Sequence, residues 1–129
     1  MTIEFKIRPD KWGKWKRKGG FFRVMVMDSP RAVRKRYKDE GGEGNDTTAF
    51  MICNDLGLDL GAIVFPPKFG ISIMTHEAAH AALRFISWQV AGVARGKKVN
   101  GTSDEDICQA VGNICREITR GLYREGVWK

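Results

Sequence analysis

Apolar and polar residues alternate through Ile3-Glu4-Phe5-Lys6-Ile7-Arg8, the two-residue period of a half-buried strand, and Pro9 ends it. Between Asp10 and Gly20 the chain sets Trp12 and Trp15 among Lys11, Lys14, Lys16, Arg17, Lys18 and several glycines, a basic, turn-rich connector. Phe21–Met27 (FFRVMVM) is an apolar run of buried-strand length. Ser29 before Pro30 is a helix start, because the serine can cap and proline fills the first helical position, where its missing N–H goes unused. Val33 and Tyr37, four apart, give that helix one apolar stripe, and it stops near Glu40. Gly41–Asp46 reads as a mobile loop. Thr47–Asn54 (TTAFMICN) and Leu60–Phe65 (LGAIVF) are β-branched or aromatic runs of strand length, with the turn-like Asp55–Asp59 between them and Pro66-Pro67 closing the second.

Two long helices follow. Ile71–Ala91 is rich in alanine, lacks proline and ends before Gly92, which predicts a helix of about five to six turns. Gly92–Ser103 is a Gly- and Lys-bearing loop. Over Asp104–Glu125, Ile107, Val111, Ile114, Ile118 and Leu122 recur at helical spacing, with Asp104, Glu105 and Asp106 in the first turn, where the helix dipole favours acids. The order strand, strand, helix, strand, strand, helix, helix predicts an α+β fold. At 129 residues the chain is expected to form one domain. Its parts are a strand and basic Trp-containing connector (1–20), a small mixed sheet with one helix (21–70), a helix at 71–91 and a C-terminal helix at 104–125.

Composition removes several classes. With 43% hydrophobic and 29% charged residues the chain has enough apolar side chains for a core, which excludes a disordered or collagen-like polymer. The least charged stretches, around 60–67 and 85–94, fall short of the roughly 18–20 apolar residues of a membrane span, and the first twenty residues are charged where a signal peptide is apolar. No membrane partner is therefore expected. Cys53, Cys108 and Cys115 are odd in number and show no C-x-x-C spacing, which suits a reducing cytoplasm better than a disulfide framework.

The two histidines of the chain fall in one five-residue window, His76-Glu77-Ala78-Ala79-His80, an H-E-x-x-H motif inside the stretch that alanine content and the lack of proline already make a helix. Four residues are about one turn, so both imidazoles leave the same face and can occupy two corners of a tetrahedral Zn2+. Glu77 beside them is placed to take a proton from water at the metal. Chance produces this pattern in a chain of this length in about a few cases per thousand, and uncharged neighbours such as Met74, Ala78 and Ala81 suit a buried active-site helix.

A catalytic zinc takes three protein ligands and keeps one position open. With no third histidine, the third ligand is a carboxylate, a thiolate or nothing. Glu105 is the first choice, because the helix after the Gly-rich loop can fold back on the histidine helix, with Gly112 allowing close packing. Asp104 and Cys108 are its rivals. For the developing oxyanion, Tyr123 and Arg84, with Tyr37 and Arg116, are available, and spacing does not choose among them.

Gly70–Leu83 (GISIMTHEAAHAAL), followed by Asp104–Gly112 (DEDICQAVG), resembles the gluzincin branch of the zincin-like metallopeptidases, most of all small single-domain versions encoded by bacteriophages. The likeness covers about residues 45–120. It implies a zincin-like fold, His76, His80 and Glu105 on zinc, Glu77 as general base and later acid, and a sheet whose edge strand binds an extended peptide. The implied setting is the cytoplasm of a bacterium or infected host cell, with a protein or peptide substrate. One departure matters: larger gluzincins often place an acid four residues after the glutamate ligand, where this chain has Gln109, a weaker partner for orienting a histidine.

Charge leaves a second class open. Residues 1–38 hold 13 of the 22 Lys and Arg against three acids, so the basic character lies in the N-terminal third. Lys14, Lys16, Arg17 and Lys18 around Trp12 and Trp15 are the kind of surface that contacts phosphates and stacks on bases. The alternative function is thus a non-enzymatic zincin-fold protein that binds nucleic acid or a protein partner. The plainer reading, in which the tryptophans pin the connector to the core, is favoured, since no recognised nucleic-acid fold accompanies the charge.

Overall fold

Phe22, Val24 and Val26 are buried and their neighbours half-buried, so β2 (Phe21–Val26) puts every second residue into the main core. β1 (Ile3–Ile7) pairs with it antiparallel, burying Phe5 and Ile7. The computed structural model of the chain describes residues 2–44, 46–54, 57–91 and 103–129. A 3-10 turn at Pro9–Lys11 leads from β1 into the connector. Helix α1 (Pro30–Asp39) starts as its sequence requires, with the Ser29 hydroxyl accepting from the Ala32 amide at 3.0 Å. β3 (Phe50–Cys53) and β4 (Asp59–Phe65) complete a mixed sheet of order β1-β2-β4-β3, in which only the β2/β4 pair is parallel.

β3 is shorter than the Thr47–Asn54 run suggested. Only Phe50–Cys53 find partners on β4, and the three residues before them line a cleft. Close pairing of β3 and β4 depends on Gly61, whose φ is +139°; a Cβ there would collide with the Ile52 carbonyl oxygen. The β2/β4 register slips at the same place, Phe21 pairing with Asp59 and Phe22 with Gly61.

The sheet is covered on both faces. Val24, Val26, Ile63 and Phe65 meet the two long helices α2 (Ile71–Ala91) and α3 (Ser103–Arg124), while the alternating positions Met25 and Val64 meet Val33 of α1. α2 keeps the bounds its sequence gave, and α3 starts one residue earlier and ends one residue earlier than expected. The expected Gly92–Ser103 loop lies outside the described residues except for Ser103, which opens α3. α3 runs back along α2: Cys115 hydrogen-bonds Thr75 near the start of α2, whereas Gln109 and Phe85 both border the Gly13–Trp15 stretch.

Trp15 is buried edge-on against Phe85 and donates from Nε1 to the Trp12 carbonyl at 2.7 Å. Asn113 donates to the carbonyls of Pro9 and Trp12, and Asp10 accepts from the Gly19 amide. The basic connector is therefore tied to the core by the hydrogen bonds of Asp10, Trp15 and Asn113. Among the described residues no helix is long and apolar enough to cross a membrane.

Candidate metal centre

His76, Glu77 and His80 leave α2 in its second and third turns. The imidazoles, four residues apart, stand nearly perpendicular at 78°, with ring centroids 4.8 Å and Nε2 atoms 3.2 Å apart. The His76 side chain is 67% exposed, whereas Glu77, turned about 100° inward by one helical step, is 5% exposed. Its Oε2 lies 3.8 Å from His76 Nε2. Among the described residues these three form the group able to hold a metal ion, with ligand atoms all within 4.8 Å of one another.

The donor set fits zinc. Two Zn–N bonds of about 2.0–2.1 Å at the tetrahedral angle put the nitrogens about 3.3 Å apart, and the observed separation is 3.2 Å. The same spacing allows one imidazole to donate to the other when no ion is present.

The pair opens on a cleft of about 900 Å³ between α2 and the edge strand β3. Thr47, Thr48, Ala49 and Met51 line the strand side; Ile73, Leu83 and Arg84 join the histidines on the helix side. β3 lies at the sheet margin, so one of its backbone edges has no strand partner among the described residues.

Burial holds the Glu77 carboxyl above the ordinary carboxylate range, a push that His80 and His76 partly oppose. A carboxyl whose pKa is higher folded than unfolded contributes stability that is complete below the unfolded value of about 4.3 and is lost as pH rises through the folded one. In thermal melts of metal-free protein, the wild type is expected to lose stability relative to Glu77→Gln as pH rises above about 4.3, leaving the variant more stable at neutral pH. Parallel curves for the two proteins would mean that Glu77 is not desolvated as described.

The other residues expected from sequence are distributed unevenly. Arg84 and Tyr37 line the cleft, while Tyr123 is exposed beside Trp128 at the far end of α3 and Arg116 stacks over Trp12 at 3.9 Å. Glu105 is exposed, about 180° around α3 from the fully buried Ile114. Asp104 and Cys108 lie within about 20° of Cys115, the residue that touches α2. Gly112 does not mediate helix packing, since a Cβ there would meet nothing within 4 Å; the close approach on α3 is at Gly121, where a Cβ would strike the Phe5 ring of β1. Gln109 donates to Asn113 at 2.7 Å beside the connector. Among the described residues none of the third-ligand candidates Asp104, Glu105 and Cys108 belongs to the histidine group.

In the basic third, Lys14, Lys16 and Lys18 are exposed, but Arg17 is folded onto α2. Its guanidinium lies 4.3 Å from the Trp88 ring and donates to the Trp88 carbonyl, and its amide donates to Gln89.

The resemblance implied a peptide-binding edge strand without saying which strand, and the sequence did not single out Thr47, Thr48, Ala49 or Asp46, which line the cleft. Nothing in local spacing joins Asp46 to His76, because strand pairing brings these segments together. Compared with known proteins, the chain matches no family model, no curated protein and no solved structure.

Proposed function

We propose that this α+β protein is a zincin-like, zinc-dependent peptidase of the gluzincin type. The observation that carries the reading is the convergence of His76 Nε2 and His80 Nε2, at zinc-ligand spacing, on a cleft walled by an edge strand. In this reading the imidazoles of His76 and His80 hold the ion, with the third ligand drawn from Glu105, Asp104 or Cys108 on α3. Bound zinc supplies a Lewis acid that polarises a carbonyl and makes water easier to deprotonate.

The remaining work falls to the chain. Glu77, next to the pair and shielded from solvent, accepts the proton of the attacking water and returns it to the leaving amine. The free edge of β3 offers backbone N–H and C=O groups to an extended peptide, and Leu83, 55% exposed, and Ile73 offer apolar contact to its side chains. Of the two sequence candidates for the oxyanion that line the cleft, Tyr37 and Arg84, the part falls to Tyr37, because the Arg84 guanidinium is engaged by the Asn54 carbonyl. The test is digestion of an unfolded protein such as casein: the zinc-loaded chain is expected to cleave it, a chelator to stop cleavage and added zinc to restore it. Cleavage unaffected by chelator would contradict the proposal.

A further inference from the structure

Helix α2 has 21 residues, of which two carry a formal charge, Glu77 and Arg84, and both line the cleft. Glu77 is absorbed by the metal centre. Arg84 lies four residues past His80, one turn along the same face, about 6 Å by helical rise. Its Nη2 donates to the carbonyl of Asn54, the residue after β3, which fixes the guanidinium where strand and helix meet. Its Nε is buried and has no hydrogen-bond partner among the described residues. The ion pairs among those residues do not involve Arg84.

A half-buried guanidinium, anchored at one corner and the one Lys or Arg side chain among the described residues that line the cleft, is placed to meet an anion there. The planar fork of arginine matches a carboxylate. Anchoring by Asn54 lowers the entropy lost when a ligand is gripped. The other acid among the described residues lining the cleft, Asp46, precedes β3 in the chain, whereas Asn54 follows it. Strand residues advance about 3.3 Å each, so a carboxylate meeting Arg84 belongs to a residue about two positions from the bond held at the histidine pair.

We infer that Arg84 determines specificity: the cleft selects peptides with an Asp or Glu side chain within about two residues of the cleaved bond, on the side toward Asn54. This rests on the peptidase reading and names the substrate class for the same site.

The experiment is digestion of a synthetic mixture of unstructured peptides of varied sequence by the zinc-loaded full chain, with cut sites read by mass spectrometry. Wild type is expected to show Asp or Glu enriched at one fixed position near the cut. Arg84→Met should lower the ratio of acidic to neutral residues at that position by about tenfold or more. Arg84→Glu should turn the preference toward Lys and Arg. Arg84→Lys should retain an acidic preference, reduced because a point charge replaces the fork, and it carries the test if the other variants do not fold. Zinc content is measured for each variant. Cut sites without acidic bias, or a bias unchanged in every folded variant, would overturn the inference and leave the peptidase reading standing. No cutting by zinc-loaded wild type would overturn both.

Discussion

Replacing Glu77 with glutamine is expected to leave zinc bound while lowering peptide hydrolysis by about a hundredfold or more. Glutamine keeps the size and hydrogen-bonding reach of the side chain but has no basic oxygen to take a proton. Glu77 is the carboxylate of the metal-capable group, and its burial separates it from bulk water. Zinc content and kcat/KM measured on the same preparation separate the two effects. Retained zinc with retained activity would assign the metal a structural part, and loss of zinc would make Glu77 a ligand.

Removing either imidazole has the second large effect. His76→Ala or His80→Ala takes away one of two ligands presented on one helical face, and zinc affinity is expected to fall by on the order of a hundredfold or more. Both side chains are exposed, so little packing is lost and the variants should remain folded by circular dichroism. The same titration ranks the third-ligand candidates. Asp104→Ala or Cys108→Ser is expected to weaken binding more than Glu105→Ala, because only the first two lie on the flank of α3 that faces α2. A dominant loss with Glu105→Ala would mean that the first turn of α3 rotates when metal binds.

The placement of side chains was legible wherever one element carries it alone. His76, Glu77 and His80 lie within one turn of a helix that alanine content and the absence of proline already defined, so their common face followed from the 3.6-residue period. Ser29 and Pro30 likewise fixed the start of α1 by local capping. What depends on two elements was not legible. The helical period put Glu105 in the first turn of α3, but which way that turn faces is decided by how α3 rests on α2 and the connector. Residues Ile114 and Cys115 settle that rotation, and Glu105 faces outward. The bounds of β3 failed for a similar reason: Thr47 and Thr48 have strand-forming side chains, but pairing with β4 begins only at Phe50. The sequence of the connector allowed both a nucleic-acid face and a pinned loop, and Trp15 against Phe85 with Arg17 over Trp88 ties its middle to the core.

The most direct measurement is the zinc content of the wild-type chain, by elemental analysis after purification without added metal and again after titration with zinc and removal of excess. The account predicts about one zinc per chain, as expected for one His76–His80 pair and its ligand set. A chain that carries no transition metal and takes up none would contradict it, leaving the 3.2 Å approach of the two nitrogens as a hydrogen bond between imidazoles.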